Sequence, residues 1–388
     1  ALPISSHHGV KNNDNKLAAE TTTLAEVLAA NGFQTFAVAS TLNVADPRAE
    51  ILQGFAPTHV RYVRESQTSQ AGKQLLVNSG PEVVAEARAF LAQRDPARPF
   101  FLFTHFYDAH TDFTPDAEHR ARFVAPYSGR LDGSTAQLLA LRDKARLGAD
   151  DVRFLRELYD AEIRQLDGVL GGFLAELEQQ GLLAETLVVL TSDHGEEFYE
   201  HGGLLHGRTQ FEELLRVPLI FAGPGVPAGQ VVATPVSLVD LMPTVLGRFG
   251  LAPAGPLDGL DLAPCWSGAG LPQRMLFGEA DHNNVVGGKP ADDIKRSARL
   301  GNEKLHLDRL SGKVQLFDLA ADPGETQDLA ADAPARVELL RGALSRFLDG
   351  AVDGVRTEED LTHENAELLR DLGYVGGDDD AAAEPKKR

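Results

Sequence analysis

Asp193 and His194 stand side by side at the end of an apolar run, and they offer the first clear chemistry in this chain. One brings a carboxylate oxygen and the other an imidazole nitrogen, two donor types that suit a divalent cation. The run before them, LVVL at 187–190, has the uninterrupted, β-branched character of a strand buried on both faces. It breaks at Thr191 and Ser192, which delivers the pair to the strand's carboxyl end, where ligands sit in open α/β sheets. Gly195 then lets the backbone turn sharply. His201 and His206 follow, each before a glycine, and Arg208 comes within fourteen residues of His194. An isolated Asp-His pair is more often a helix cap beside a solvated histidine. The clustering after a buried strand argues instead for a metal site with imidazoles and a cation around it.

His110 has a similar setting. It lies within the polar stretch 107–112 that follows an aromatic-rich apolar run at 100–106. A histidine at a strand's carboxyl end can contact a bound anion or protonate a leaving oxygen. His105 points the other way along that strand and reads as structural.

The elements that must position these groups alternate. Thr21, Thr22 and Thr23 cap a helix with Leu24, Val27 and Leu28 on one face, which ends at Gly32 and leads into a strand at 33–39. Residues 58–80 read as a polar surface excursion. Pro81 opens a helix with Val83, Val84, Ala87 and Leu91 at helical spacing. Residues 152–180 form a long amphipathic helix, on which Asp160, Glu162 and Asp167 read as a solvated face. A second apolar run at 217–222 ends in Gly-Pro-Gly, and a helix follows at 237–249. The Pro- and Gly-rich stretch 251–272 reads as a linker, with Cys265 and Trp266 as packing residues. Beyond it come short strands at 275–279, 297–300, 304–307 and 313–317, then a helix at 335–348. This order predicts an α/β fold: a mainly parallel sheet flanked by helices, over 1–250. A smaller C-terminal α+β unit with an antiparallel sheet occupies 273–350, and 351–388 holds a short helix and a solvated tail.

Composition narrows the partners. A chain of 388 residues is ample for a large core, and 43% hydrophobic with 24% charged residues is ordinary for a globular protein. No apolar stretch approaches the roughly 20 residues a membrane span needs. A net charge of −20 argues against nucleic acid and anionic membranes. It also disfavours densely sulfated polymers, although screening over about 8 Å leaves a local pocket free to act. Cys265 is the only cysteine, so no internal disulfide is possible. The chain starts at Ala1 rather than Met, and the natural N-terminus is expected upstream. A periplasmic or extracellular location follows if that segment carries a signal peptide.

Several segments carry a resemblance. SDHGEEF, EHG, HG and LLRVPLIFAGPG, between 192 and 225, resemble the metal-binding segment of the sulfatase family, within the alkaline-phosphatase superfamily. FTHFYDAHTDFTP is similar to that family's F-D-P-H-x-P-Y-x-P loop, with Ala109 in place of the usual proline, a change expected to loosen the loop. YDAEIRQLD and FDLAADPGETQDL resemble its long-helix and closing motifs, and the similarity runs in order through nearly the whole chain. It implies that Asp193 and His194 are metal ligands and that His110, His206 and Arg208 face the sulfate, with His110 and His206 taking part in catalysis. His206 lies where the family places a basic residue, often lysine. The implied cofactor is one divalent cation, calcium first, with manganese, magnesium or zinc as alternatives. The implied substrate is a small-molecule or glycan sulfate ester.

The same resemblance exposes a gap. Sulfatases carry two metal-binding aspartates and a C/S/T-x-P-S/A-R nucleophile motif upstream of the point where this sequence begins. Ser5 and Ser6, beside His7 and His8, fall in a loop of the family register, and Cys265 lies in the wrong region. The chain as given is therefore expected to bind metal weakly and turn over little. Two alternatives stay open: a phosphodiesterase, phosphonate hydrolase or phosphoglycerol transferase of the same superfamily, and a catalytically dead protein that binds a sulfated ligand.

Overall fold

The computed structural model describes residues 5–8, 10, 15–63, 66–70, 73–77, 79–141, 146–280, 285–286, 289–290, 295–352 and 354–357. Its centre is a parallel three-stranded sheet in which Gln34–Ala39 (β1) lies between Val60–Tyr62 (β2) and Phe100–His105 (β3). Alternation along β1 explains its two covered faces. Phe36 and Val38 pack with Val83 and Phe90 of the helix Gly80–Gln93. On another side, Val27 and Leu28 of the helix Leu24–Ala30 meet Leu246 of the helix Leu241–Arg248, with Phe101 of β3 against them. The first of these helices begins at a reciprocal cap between Thr23 and Glu26, a device worth about 1 kcal/mol. The long helix Ala149–Gln179 packs Phe173 and Leu177 against Val84, Ala87 and Leu91.

The strand that carries the Asp-His pair, Val188–Thr191 (β4), departs from expectation. It runs antiparallel to Leu219–Ala222 (β5), with Leu219 opposite Thr191 and Ala222 opposite Val188. It is half-buried rather than covered on both faces, and Ile220 of β5 is 55% exposed. A β-branched run reports strand propensity but not how many layers cover the strand. Strand β2 also falls inside the stretch expected to be irregular, because three residues are too few to show a period. Ser5–His8 forms a helical turn rather than a loop.

The antiparallel C-terminal sheet is present as expected. Met275–Ala280, Lys295–Leu300, Glu303–Asp308 and Val314–Asp318 pair in that order, and the helix Pro334–Leu348 covers them through Leu340 and Leu344. Residues 281–284 lie outside the described residues, as do the short helix and tail expected toward the C-terminus, from 358 onward. No helix among the described residues is long and apolar enough to cross a membrane.

Candidate metal and oxyanion site

Two loops converge at the carboxyl ends of β3 and β4. The loop after β3 is anchored at its start by Ser40, whose hydroxyl donates to the His105 carbonyl and accepts from the Tyr107 amide. Further on, the Thr114 amide donates to Glu162 and the Phe113 amide to the Gly133 carbonyl. The loop after β4 is anchored by a short hairpin, Glu197–Phe198 with Leu204–Leu205. Phe198, Leu204 and Leu205 are buried with Phe113, Phe154 and Leu158, so one apolar cluster fixes both loops.

These anchors bring four of the expected residues together. The His194 and His206 rings stack with centroids 4.1 Å apart, and His110 meets His206 edge-on at 4.9 Å and His194 at 6.5 Å. Asp193 Oδ2 lies 3.7 Å from His194 Nε2. Arg208, two residues beyond His206 on the same loop, is half-buried.

Backbone geometry helps to aim the imidazoles. Ala109 and Leu205, the residues immediately before His110 and His206, both hold left-handed φ, +65° and +68°. Each such residue costs roughly 1–2 kcal/mol. Alanine at 109 was expected to loosen a loop that proline would stiffen, but proline cannot adopt this φ at all. We expect Ala109→Pro to lower the urea midpoint by the equivalent of more than about 1 kcal/mol. A midpoint equal to wild type would show that the loop does not need this conformation.

Charge follows from burial and neighbours. His110 is pushed down to about 3 by burial and by His206, so its ring is neutral near pH 7, with Nδ1 2.9 Å from the Thr111 carbonyl. His194 is likewise lowered by burial and by His206. Its Nδ1 lies 2.8 Å from the Gly195 carbonyl, so Nδ1 carries the proton and Nε2 keeps its lone pair on the side of Asp193. Desolvation raises the Asp193 carboxyl, but charge attraction, from His194 first, outweighs it and holds the group below the usual carboxylate range. An anionic oxygen and an imidazole lone pair 3.7 Å apart can share one cation, since each bond would span roughly 2.0–2.5 Å. The donors present therefore fit a divalent ion.

Residues 2–251 match the Sulfatase family. The chain belongs to that family. Arylsulfatase K of Danio rerio is 34% identical over 207 residues, 52% of this chain and 38% of the relative's length. The multifunctional alkaline phosphatase superfamily protein PehA of Trinickia caryophylli is 28% identical over 313 residues, 71% of this chain and 60% of its own. The chain thus spans little more than a third of the arylsulfatase K length. Among solved structures, the phosphonate monoester hydrolase of Agrobacterium radiobacter has a TM-score of 0.71 at 22% identity, covering 93% of this chain and 86% of its own. A structure in complex with its substrate D-glucosamine-2-N,6-O-disulfate has a TM-score of 0.67 at 19% identity, with 92% and 87% covered. These structures establish the α/β fold.

Within this sulfatase fold, three groups stand close to the cluster that the pattern of the sequence did not select. Glu196 is buried, and both its carboxylate oxygens lie 3.2 Å from His206 Nδ1. Burial pushes its carboxyl up to about 7, so this carboxyl titrates near neutral pH. His105, read as structural, is pushed down to about 4 by burial and interacts electrostatically with Asp193 and His194. Glu162, read as part of a solvated helix face, is 1% exposed and holds the His110 loop through the Thr114 amide. Asp160 and Asp167, by contrast, are exposed as expected. Cys265 is buried, away from any such role.

A second group can be weighed as a metal site. Glu197, His201 and Glu213 place potential ligand atoms within 4.8 Å of one another. His201, however, has Nδ1 2.7 Å from Glu213 and Nε2 3.0 Å from the Gly324 carbonyl, both acceptors. Partial burial disfavours its charge, but the Glu213 hydrogen bond outweighs this and raises its pKa. A ring protonated on both nitrogens has no lone pair for a metal, which leaves Asp193 and His194 as the better pair.

Proposed function

We propose that this chain carries the metal turn and the oxyanion-facing histidines of a hydrolase acting on sulfate esters, small-molecule or glycan. The observation that supports this most directly is the convergence of His110, His194 and His206 beside Asp193. Asp193 and His194 would hold one divalent cation, calcium first and manganese, magnesium or zinc otherwise. When bound, the cation supplies Lewis-acid neutralisation of charge on the transferring group. His110 and His206 would give hydrogen bonds to sulfate oxygens or a proton to the leaving alcohol, and Arg208 a charge-assisted hydrogen bond. Glu196 would fix which His206 nitrogen carries the proton.

No residue of the chain is assigned as nucleophile, and two ligands make a poor cage for a hard cation. The 388-residue chain should therefore bind Ca²⁺ or Mn²⁺ with a dissociation constant on the order of 10⁻⁴–10⁻³ M or weaker, and show little turnover. Calorimetric titration of wild type and Asp193→Ala checks the site: the substitution is expected to remove the binding heat. Binding that persists would move the ion to Glu197, His201 and Glu213. Aryl sulfate turnover by this chain, abolished by Asp193→Ala, would overturn the expectation of low activity.

The relation to PehA, which spans 71% of the chain, supports a second reading, a phosphonate or phosphodiester hydrolase. Comparing turnover of an aryl sulfate with that of an aryl phosphonate monoester separates the two.

A further inference from the structure

The turn bearing Asp193 and His194 rests on a neighbouring segment, Phe211 and the helical turn Glu212–Leu215. The Gly195 amide donates to the Leu214 carbonyl at 2.8 Å, and a β-carbon on Gly195 would stand 2.0 Å from the Glu213 carbonyl oxygen. That supporting segment has one fully buried apolar anchor of its own, Leu214. Most of what fixes it is polar and comes from the C-terminal sheet and the loop after it.

The first residue of the supporting turn is gripped twice. The Glu212 amide donates to Glu325 Oε2 at 2.6 Å, and the Glu212 carboxylate meets Lys304 Nζ at 2.9 Å and Arg299 at 3.0 Å. Lys304 and Glu325 have side chains only 1% exposed, and they pair with each other at 3.1 Å, with His306 2.9 Å from Glu325. The neighbouring residues are held as well. Glu213 pairs with His201, whose other nitrogen reaches the Gly324 carbonyl, next to Glu325. Phe211 lies flat on the His201 ring at 3.4 Å and touches His306 at 4.8 Å. Charged groups this deeply buried hold their partners to one geometry, because each lost contact strands an uncompensated charge.

We propose that Lys304 and Glu325 are positioning residues for the metal turn, acting through Glu212 and the Leu214 carbonyl. The C-terminal sheet then sets where Asp193 and His194 stand, although none of its residues need touch cation or substrate. The functional meaning of this coupling rests on Asp193 and His194 being the ligands. The coupling itself does not.

Hydrogen exchange on the whole chain, read by mass spectrometry, tests it with Glu325→Gln, which keeps shape, and Lys304→Met. Arg336→Ala serves as a control, since it removes an exposed pair with Glu303 on the same sheet. Both test variants are expected to speed exchange of the amides around Gly195 at least tenfold. The amides of β1 should keep wild-type rates, and Arg336→Ala should leave the turn unchanged. The weak Mn²⁺ affinity should fall in parallel, a change that loss of global stability would not produce in folded protein. Wild-type exchange at the turn in both variants overturns the proposal, and so does uniform acceleration throughout the chain. If wild type binds no Mn²⁺, the ligand assignment fails alone, and exchange still decides the coupling.

Discussion

Gly195→Ala is expected to disrupt the turn that carries Asp193 and His194 outright. The added carbon would sit 2.0 Å from the Glu213 carbonyl oxygen, closer than any van der Waals contact, and the clashing atom is backbone. Relief requires the Asp193-His194 turn and the Phe211–Leu215 segment to separate, which breaks the hydrogen bond from the Gly195 amide to Leu214. Overpacking of this kind costs roughly 1–3 kcal/mol. Displacing ligand supports typically weakens metal affinity by roughly 10–100-fold. Urea denaturation and Mn²⁺ titration read the two effects separately, and wild-type values in both would show that the turn tolerates a side chain. Gly195 was expected to serve a sharp turn. Its φ is not in the left-handed region, and the close approach of another backbone is what demands glycine.

That difference marks what the sequence could say about this site. Asp193, His194 and His110 were legible because each follows an apolar run, and a strand's carboxyl end is a local feature with a general meaning. His206 was picked out by its place in the cluster and by the family resemblance. Glu196 was not, since its value depends on a loop folding back to put His206 against it. His201 looked like a member of the same cluster, each histidine preceding a glycine, but it turns toward Glu213 and Gly324. The direction of β5 was equally hidden. A long polar connection between two short apolar runs permits either orientation, and here the chain returns antiparallel. Ala109 illustrates the limit of reading a departure from a family pattern. Its meaning lies in a φ of +65°, which no residue list displays.

Glu162 did leave a signal. Leu155, Leu158 and Glu162 fall at helical spacing on one stripe of the long helix, so a carboxyl occupies a position that the pattern reserves for apolar side chains. In the structure it is 1% exposed and accepts the Thr114 amide through one oxygen, while its other oxygen has no partner among the described residues. Burial, with Asp108 and Asp112 nearby, raises its pKa well above the ordinary value, so the folded protein holds a proton there that the unfolded chain releases. Glu162→Ala strands the Thr114 amide and opens a cavity beneath the His110 loop, at a combined cost of roughly 2–5 kcal/mol. Glu162→Gln keeps an acceptor and should cost far less. Its pH dependence carries the sharper expectation. Between the unfolded and folded pKa values the native wild type binds more protons than the unfolded chain, so its stability falls as pH rises, by at most about 1.4 kcal/mol per unit. The glutamine variant lacks that term. Its stability relative to wild type should therefore increase as pH rises from the ordinary carboxylate range through neutrality, in urea denaturation. A difference that stays constant across this range would mean that the carboxyl is already ionised in the folded protein, with a cation or donor supplied to its second oxygen.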